Sequence, residues 1–328
     1  IRYFLFRKNI RLNHKLVKFE HPTYLTICLS AALRYDVLFC GVSLMNNCIA
    51  YVNGKYCKAE DAKISIFDRG FLMGDAVYEV SAVIKGRLID NEPHLDRLFR
   101  SLGELNMPSP ANRAEIIRIQ KEIISRNQLD NGEVYLQITR GSGPRDFLIK
   151  EDMQPNLVMF PLFFDPLNAD NRGIAVQTLP DIRWLRRDIK TTQLLAQSLA
   201  RSIAAHHGFD DAWMVDSEGY VTEGSANNAY IVKGDRIFTR YANNEILNGI
   251  TRRTMFGIIK EMGLTVVEQA FTPREAILAD EAFITSAGNW ATPVVNIDGE
   301  MIGNGQAGAV TLELRRRYIT ALEQLSSE

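Results

Sequence analysis

A chain of 328 residues has room for two domains and a sizeable core. Hydrophobic residues at 46% and charged residues at 23% are ordinary for a soluble globular protein. The formal net charge of −1 gives no global pull toward nucleic acid or an acidic membrane surface, so neither is expected as a partner.

The stretch from Tyr24 to Leu44 is apolar, but Arg34 and Asp36 interrupt it, and each would be costly at bilayer depth. As a signal peptide it starts too late and lacks a small-residue cleavage site. Organised structure is expected only after Met45, and residues 1–44 are read as an appendage without an assigned role. Cys28, Cys40, Cys48 and Cys57 form no CxxC pair, and no clustered histidines accompany them. No disulfide framework or metal site is expected, and a reducing cytoplasm fits best.

From Cys48 a pattern emerges. Cys48–Val52, the turn Asn53-Gly54 and Lys55–Cys57 predict a hairpin. Val77–Ile84 and Arg87–Ile89 predict a second strand pair, joined at Lys85-Gly86. Pro93 opens a helix that sets Leu95, Leu98, Phe99, Leu102 and Leu105 on one face. A helix over Arg113–Arg126, an alternating strand over Glu133–Arg140 and a buried strand over Asn156–Phe164 follow. The polar run Asp165–Arg172 is the best linker candidate. Beyond it come strands at Ile174–Thr178, Ala212–Val215, Ala229–Val232 and Leu264–Glu268. Helices are expected over Gln193–His207, from near Thr251, and over Ala309–Leu325. Strands and helices mix without a βαβ rhythm, which predicts an α+β fold: a small domain at 45–165, a linker at 166–172 and a large domain at 173–328.

Five short segments could carry chemistry. Lys190, in WLRRDIKTT, ends an apolar-polar alternation that could aim it into a cleft. Burial or a neighbouring cation such as Arg186 or Arg187 would favour its neutral, nucleophilic form. A solvated surface lysine is the commoner case. Glu223, in VTEGSANN, sits at a sharp bend and is either an exposed turn acid or a carboxylate facing a cofactor. NGITR at 248–252 leads into a helix whose free N–H groups suit a phosphate, unless Thr251 is simply an N-cap. In Ser286-Ala287-Gly288-Asn289, small residues let backbone amides approach an anion or merely shape a loop. Arg97 has the planar fork for phosphate, although an arginine on an amphipathic helix is usually solvated.

The order and spacing of seven blocks are more specific than any one of them. DRGFLMGDAVYEV (68–80), HLDRL (94–98), YLQITRGSGPR (135–145), DIRWLRRDIKTTQLL (181–195), VTEGSANNAY (221–230), NGITR (248–252) and ITSAGNWATPVVNIDG (284–299) resemble fold-type IV aminotransferases of class IV, most closely the bacterial D-amino-acid aminotransferases. The resemblance runs from about Ile49 to the last helix. It implies the two-domain fold-type IV architecture, pyridoxal 5'-phosphate as cofactor, Lys190 as the Schiff-base lysine and Glu223 as partner of the ring nitrogen. It further implies that Arg97, Ile250, Thr251, Ser286 and Ala287 surround the phosphate, that Leu247 packs on the ring, and that Tyr78 and Arg145 hold the substrate carboxylate. Phe147 stands where those enzymes are expected to carry a histidine.

The activity implied is ping-pong transfer of an amino group between a D-amino acid and a 2-oxo acid, in a homodimer. Branched-chain L-amino-acid and (R)-amine aminotransferases and aminodeoxychorismate lyase share the fold and remain alternatives.

Overall fold

The computed structural model describes residues 11–12, 15–16, 48–164 and 172–325, with side chains described over 48–164 and 172–322. The chain divides into two compact units, Ile1–Asn47 and Cys48–Glu328. In the first, strands β1 (Arg11–Leu12) and β2 (Lys15–Leu16) pair antiparallel. The apolar stretch Tyr24–Leu44 lies outside the described residues. Among those described, no helix is long and apolar enough to cross a membrane.

The second unit opens with the hairpin β3 (Ile49–Val52) and β4 (Lys55–Lys58). Asn53 and Gly54 take φ of 45° and 90°, the left-handed values that a two-residue hairpin turn requires. Strands β5 (Ala76–Ile84), β6 (Arg87–Leu88), β7 (Gly132–Thr139) and β8 (Asn156–Leu162) complete a six-stranded antiparallel sheet in the order β4-β3-β8-β7-β5-β6.

Helices α2 (Asn91–Glu104) and α3 (Arg113–Asn127) cover one face of this sheet; α1 (Arg69–Met73) precedes β5. Leu95, Leu98 and Leu102 of α2 and Ile116, Ile119 and Ile123 of α3 share one core with Val134, Leu136 and Ile138 of β7. Helical and strand periodicities thus meet in a single apolar layer. The alternate residues of β7 (Glu133, Tyr135 and Gln137) take the opposite face.

The C-terminal half builds a mixed nine-stranded sheet from β9 (Ile174–Pro180), β10 (Asp211–Val215), β11 (Val221–Gly224), β12 (Asn228–Lys233), β13 (Arg236–Thr239), β14 (Thr265–Glu268), β15 (Glu281–Thr285), β16 (Thr292–Ile297) and β17 (Glu300–Met301). The order is β11-β10-β9-β16-β15-β12-β13-β14, with β17 on β16; β9 runs parallel to β10 and β16. Helix α4 (Leu195–His206) packs on β10 through Ala200 and Ala204. Met255, Ile258 and Ile259 of α5 (Ile250–Glu261) and Leu314, Tyr318 and Leu322 of α7 (Ala309–Leu325) share a core with Tyr230 and Phe283. Ala82 and Ile84 of β5 belong to that same core, so the two sheets are joined by packing. Short α6 (Pro273–Ile277) starts at Thr272 with a reciprocal capping box to Glu275.

The long periodic helices lie where the apolar spacing predicts, within a residue or two at their ends. Apolar spacing does not reveal α1 and α6, whose five-residue lengths leave too little periodicity to detect. Their starts depend on side-chain caps at Asp68 and Thr272. The expected linker, Asp165–Arg172, lies outside the described residues except for Arg172.

Candidate active site

A cavity of about 410 Å³ opens between the two sheets. Tyr78, Arg97, Lys190, Glu223 and Leu247 line it. So do Ile250 and Thr251 at the start of α5, and Ser286 and Ala287 after β15. Arg145 does not. It lies on an exposed loop with its guanidinium 5.7 Å from the ring of Phe147, itself 81% exposed.

Lys190 owes its aim to a short antiparallel pairing of its segment alongside the start of β5. Tyr78 N–H donates to Lys190 O at 3.0 Å, Thr192 N–H donates to Ala76 O at 3.1 Å, and Val77 bridges Thr191. Ile189 and Thr191 are buried to one side, which turns Lys190 to the other. Its Nζ lies 4.1 Å from the centre of the Tyr78 ring. Arg186, one of the two cations suggested beside it, instead pairs with Glu104 at 2.5 Å and Asp188 at 3.0 Å. Arg187 does line the cavity.

Glu223 is no exposed turn acid. It sits buried on β11, and its carboxylate meets Arg183 Nη1 at 2.5 Å, Asn228 Nδ2 at 3.0 Å and Leu247 N–H at 3.1 Å. Burial pushes the Glu223 carboxyl above its ordinary value, while Arg183 and the Leu247 N–H draw it back. Although burial acts against its charge, Arg183 is held above its usual value by Glu223 and Asp181. Three donors on the carboxylate offset part of the cost of burying its charge. Asp181 fixes the far side of Arg183 at 2.7 Å and accepts from Thr222 Oγ1 at 2.7 Å.

Arg97 is likewise buried, not solvated. Its Nε and Nη2 grip Glu79 at 2.8 and 2.7 Å, and Nη1 donates to Asn248 O at 3.0 Å. Of five guanidinium N–H donors, two remain for a ligand. Burial alone would push Glu79 up, but Arg97 and His94 outweigh it and hold the carboxyl at about 2.

Gly249 is the cap position before α5, so Thr251 is the second residue of the helix and not its cap. Among the described residues, no side chain caps the first-turn N–H groups. A Cβ at Gly249 would come within 2.3 Å of Asn228 Oδ1, so only glycine allows the helix start to reach the cavity. The Ser286–Asn289 turn closes through Ser286 N–H to Asn289 O at 2.9 Å and Asn289 N–H to Ser286 Oγ at 3.1 Å.

This donor set fits a molecule with an anion at one end and a ring nitrogen at the other. An uncapped helix start beside Arg97 suits the anion, a buried carboxylate suits the ring nitrogen, and an amine stands in the same cavity. Arg187 Nε, Gln197 Oε1 and Asn227 Oδ1 are buried in the lining without hydrogen-bond partners among the described residues, so the wall retains polar capacity for a ligand. Among the described residues, no cluster of His, Cys, Asp or Glu could hold a metal ion. Sequence reasoning missed Glu133 and Arg183 in the lining, and placed Arg187 only as a possible neighbour of Lys190. Arg183 had a local signal, its i, i+2 spacing from Asp181 on extended chain; Glu133 had none beyond strand alternation.

The model of the family described as Amino-transferase class IV matches residues 76–297. The chain belongs to this family, whose cofactor is pyridoxal 5'-phosphate. Among curated proteins it is 35% identical over 279 residues to a D-alanine aminotransferase of Staphylococcus haemolyticus, covering 84% of this chain and 99% of that one. A D-alanine aminotransferase of Listeria monocytogenes is 35% identical over 281 residues, covering 84% and 97%. Among solved structures, the Thermoproteus uzoniensis branched-chain aminotransferase with norvaline superposes with TM-score 0.74 at 25% identity, covering 83% of this chain and 93% of that one. The Escherichia coli branched-chain amino acid aminotransferase does so with TM-score 0.77 at 24% identity, covering 84% and 94%, and at that identity supports the fold alone.

Proposed function

We propose that the protein is a cytoplasmic homodimeric aminotransferase that moves an amino group between a D-amino acid and a 2-oxo acid by a ping-pong mechanism. The observation that carries this is the joint presence, in one cavity, of Lys190, the donor-ringed carboxylate of Glu223 and the uncapped start of α5. The D-amino-acid preference rests on the D-alanine aminotransferases at 35% identity. Branched-chain L-amino acids are the second reading, favoured by the similar solved structures. The two sheets, each with its helices, are taken as the two domains.

Bound in this cavity, pyridoxal 5'-phosphate supplies a carbonyl for the substrate amine and a ring that accepts electrons when the α C–H bond breaks. Lys190 would hold the group covalently, and as a free amine its Nζ would be placed to take the α-proton and return it. Glu223, fixed by Arg183, Asn228 and Leu247, would partner the ring nitrogen and favour its protonated form. The first-turn N–H groups of α5, the remaining N–H groups of Arg97 and the Ser286-Ala287 turn would hold the phosphate, and Leu247 would pack on the ring. Tyr78 covers Lys190 and borders the place of the substrate carboxylate. Arg145 lies outside the cavity of its own chain and would reach a substrate carboxylate only in the cavity of a second subunit.

Absorbance of the cofactor-loaded protein, followed while single amino acids are added, tests this. A spectral change with D-alanine and none with L-leucine is expected. The reverse pattern would assign the protein to the L-specific branch.

A further inference from the structure

The cavity contains an acid without a counterpart among the described residues. Glu133 lies near the start of β7, and the alternation that buries Val134 and Leu136 in the core sends Glu133 to the cavity face. Its cross-strand neighbours are Ala82 and Leu162, neither with a side chain able to donate. On the open side Oε1 lies against Gly288; a Cβ there would stand 2.9 Å from it and 3.0 Å from the Phe164 ring.

Among the described residues, Glu133 has no hydrogen-bond or ion-pair partner. The charge acting on it is that of Lys190; burial pushes the carboxyl up to about 7, against the pull of that ammonium. The other acids at the cavity are answered: Glu223 by Arg183, and Glu79, behind Arg97, by Arg97 itself. Arg187 leans toward Asp181 at 3.4 Å. Once Lys190 is engaged by the cofactor, as the proposed function requires, Glu133 also loses that ammonium.

We infer that Glu133 sets substrate choice, favouring amino acids whose side chain carries an ammonium, a guanidinium or another N–H donor, and disfavouring dicarboxylates. A cationic side chain would supply the charge-assisted bond that Glu133 lacks. A second carboxylate beside it would supply neither the charge nor the N–H donor that Glu133 lacks, and would oppose its ionisation in a partly desolvated wall. The inference rests on the aminotransferase function but not on the handedness of the substrate.

The test uses cofactor-loaded wild type, Glu133→Gln and Glu133→Asp. Single-turnover absorbance is followed with the D- and L-forms of ornithine, glutamate and alanine. Calorimetry in parallel measures binding of 4-guanidinobutyrate and glutarate, which carry no α-amino group and do not react. Wild type should convert ornithine faster than glutamate. Glu133→Gln should raise the glutamate-to-alanine rate ratio by about 10-fold, lower the ornithine-to-alanine ratio comparably, and shift affinity from 4-guanidinobutyrate toward glutarate. Glu133→Asp, which keeps the charge, should keep the wild-type order. Unchanged ratios and affinities in Glu133→Gln, or a wild type that prefers glutamate, would overturn the inference. If no amino acid of either hand altered the absorbance, the aminotransferase function would fail, and the two unreactive acids would still decide the role of Glu133.

Discussion

Glu79 and Glu223 are both buried carboxyl groups, yet their surroundings drive them in opposite directions. Glu79 is held at about 2 against an ordinary value of 4.5, because Arg97 and His94 more than offset burial. A carboxyl depressed by folding stabilises the protein above its unfolded value and loses that contribution as pH falls through its folded one, here from 4.5 toward about 2. The shift corresponds to roughly 3 kcal/mol. Glu79→Gln should therefore lower the melting temperature at pH 7, with the gap to wild type shrinking below pH 4.5. A gap independent of pH would assign the loss to packing instead of charge.

Glu223 is raised by burial, while Arg183 and the Leu247 N–H draw it back. Glu223→Gln removes the charge while keeping most of the hydrogen-bonding shape. Single-turnover absorbance should show amino transfer slowed by about 10²-fold or more, with the cofactor still covalently held. An unchanged rate would remove the carboxylate from the chemistry. Lys190 and Glu223 are legible in the sequence because each sits inside a run of characteristic residues. Glu133 and the Glu79–Arg97 pair are not, since their meaning comes from burial and from contacts such as Arg97 with Asn248, 151 positions apart.

Among the helices and strands, the start of α5 is the most constrained feature of the cavity. Gly249→Ala places a methyl group where Asn228 Oδ1 lies 2.3 Å away. Either Asn228 releases Glu223 or the helix start retreats, and cofactor affinity measured by equilibrium titration should weaken by about 10-fold. Unaltered affinity would show that the helix start does not hold the phosphate. Thr272→Ala is the counter-case: loss of the α6 capping box should cost about 1 kcal/mol in denaturant unfolding without changing turnover. The amphipathic helices are readable because α2 and α3 repeat their apolar residues over several turns. The order of the nine-stranded sheet is not, because strand neighbours are fixed by pairings such as β9 with β16, far apart in the chain and without a local signal.

Across the unit as a whole, the two sheets are locked together around the cavity. Asp90, in the left-handed conformation at the start of α2 (φ 49°), accepts from Thr254 of α5 and Tyr318 of α7, each at 3.1 Å. Arg145 lies outside this frame on a loop with exposed Phe147, Leu148 and Ile149. If Arg145 serves the cavity of a second subunit, Lys190→Ala and Arg145→Ala, each impaired alone, should recover activity when unfolded and refolded together, because a mixed dimer contains one intact site. Absence of recovery despite mixed-dimer formation would return Arg145 to an ordinary loop role. The seven sequence blocks point to the shared cavity, but nothing in their spacing could show that Arg145 stands outside it.

All of this chemistry depends on the side chain of Lys190 holding the cofactor. Borohydride reduction of the cofactor-loaded protein, followed by peptide mapping, tests that attachment. The label is expected on the peptide that contains Lys190, and it should disappear in Lys190→Ala. A loaded protein labelled at a different lysine, or unlabelled, would contradict it.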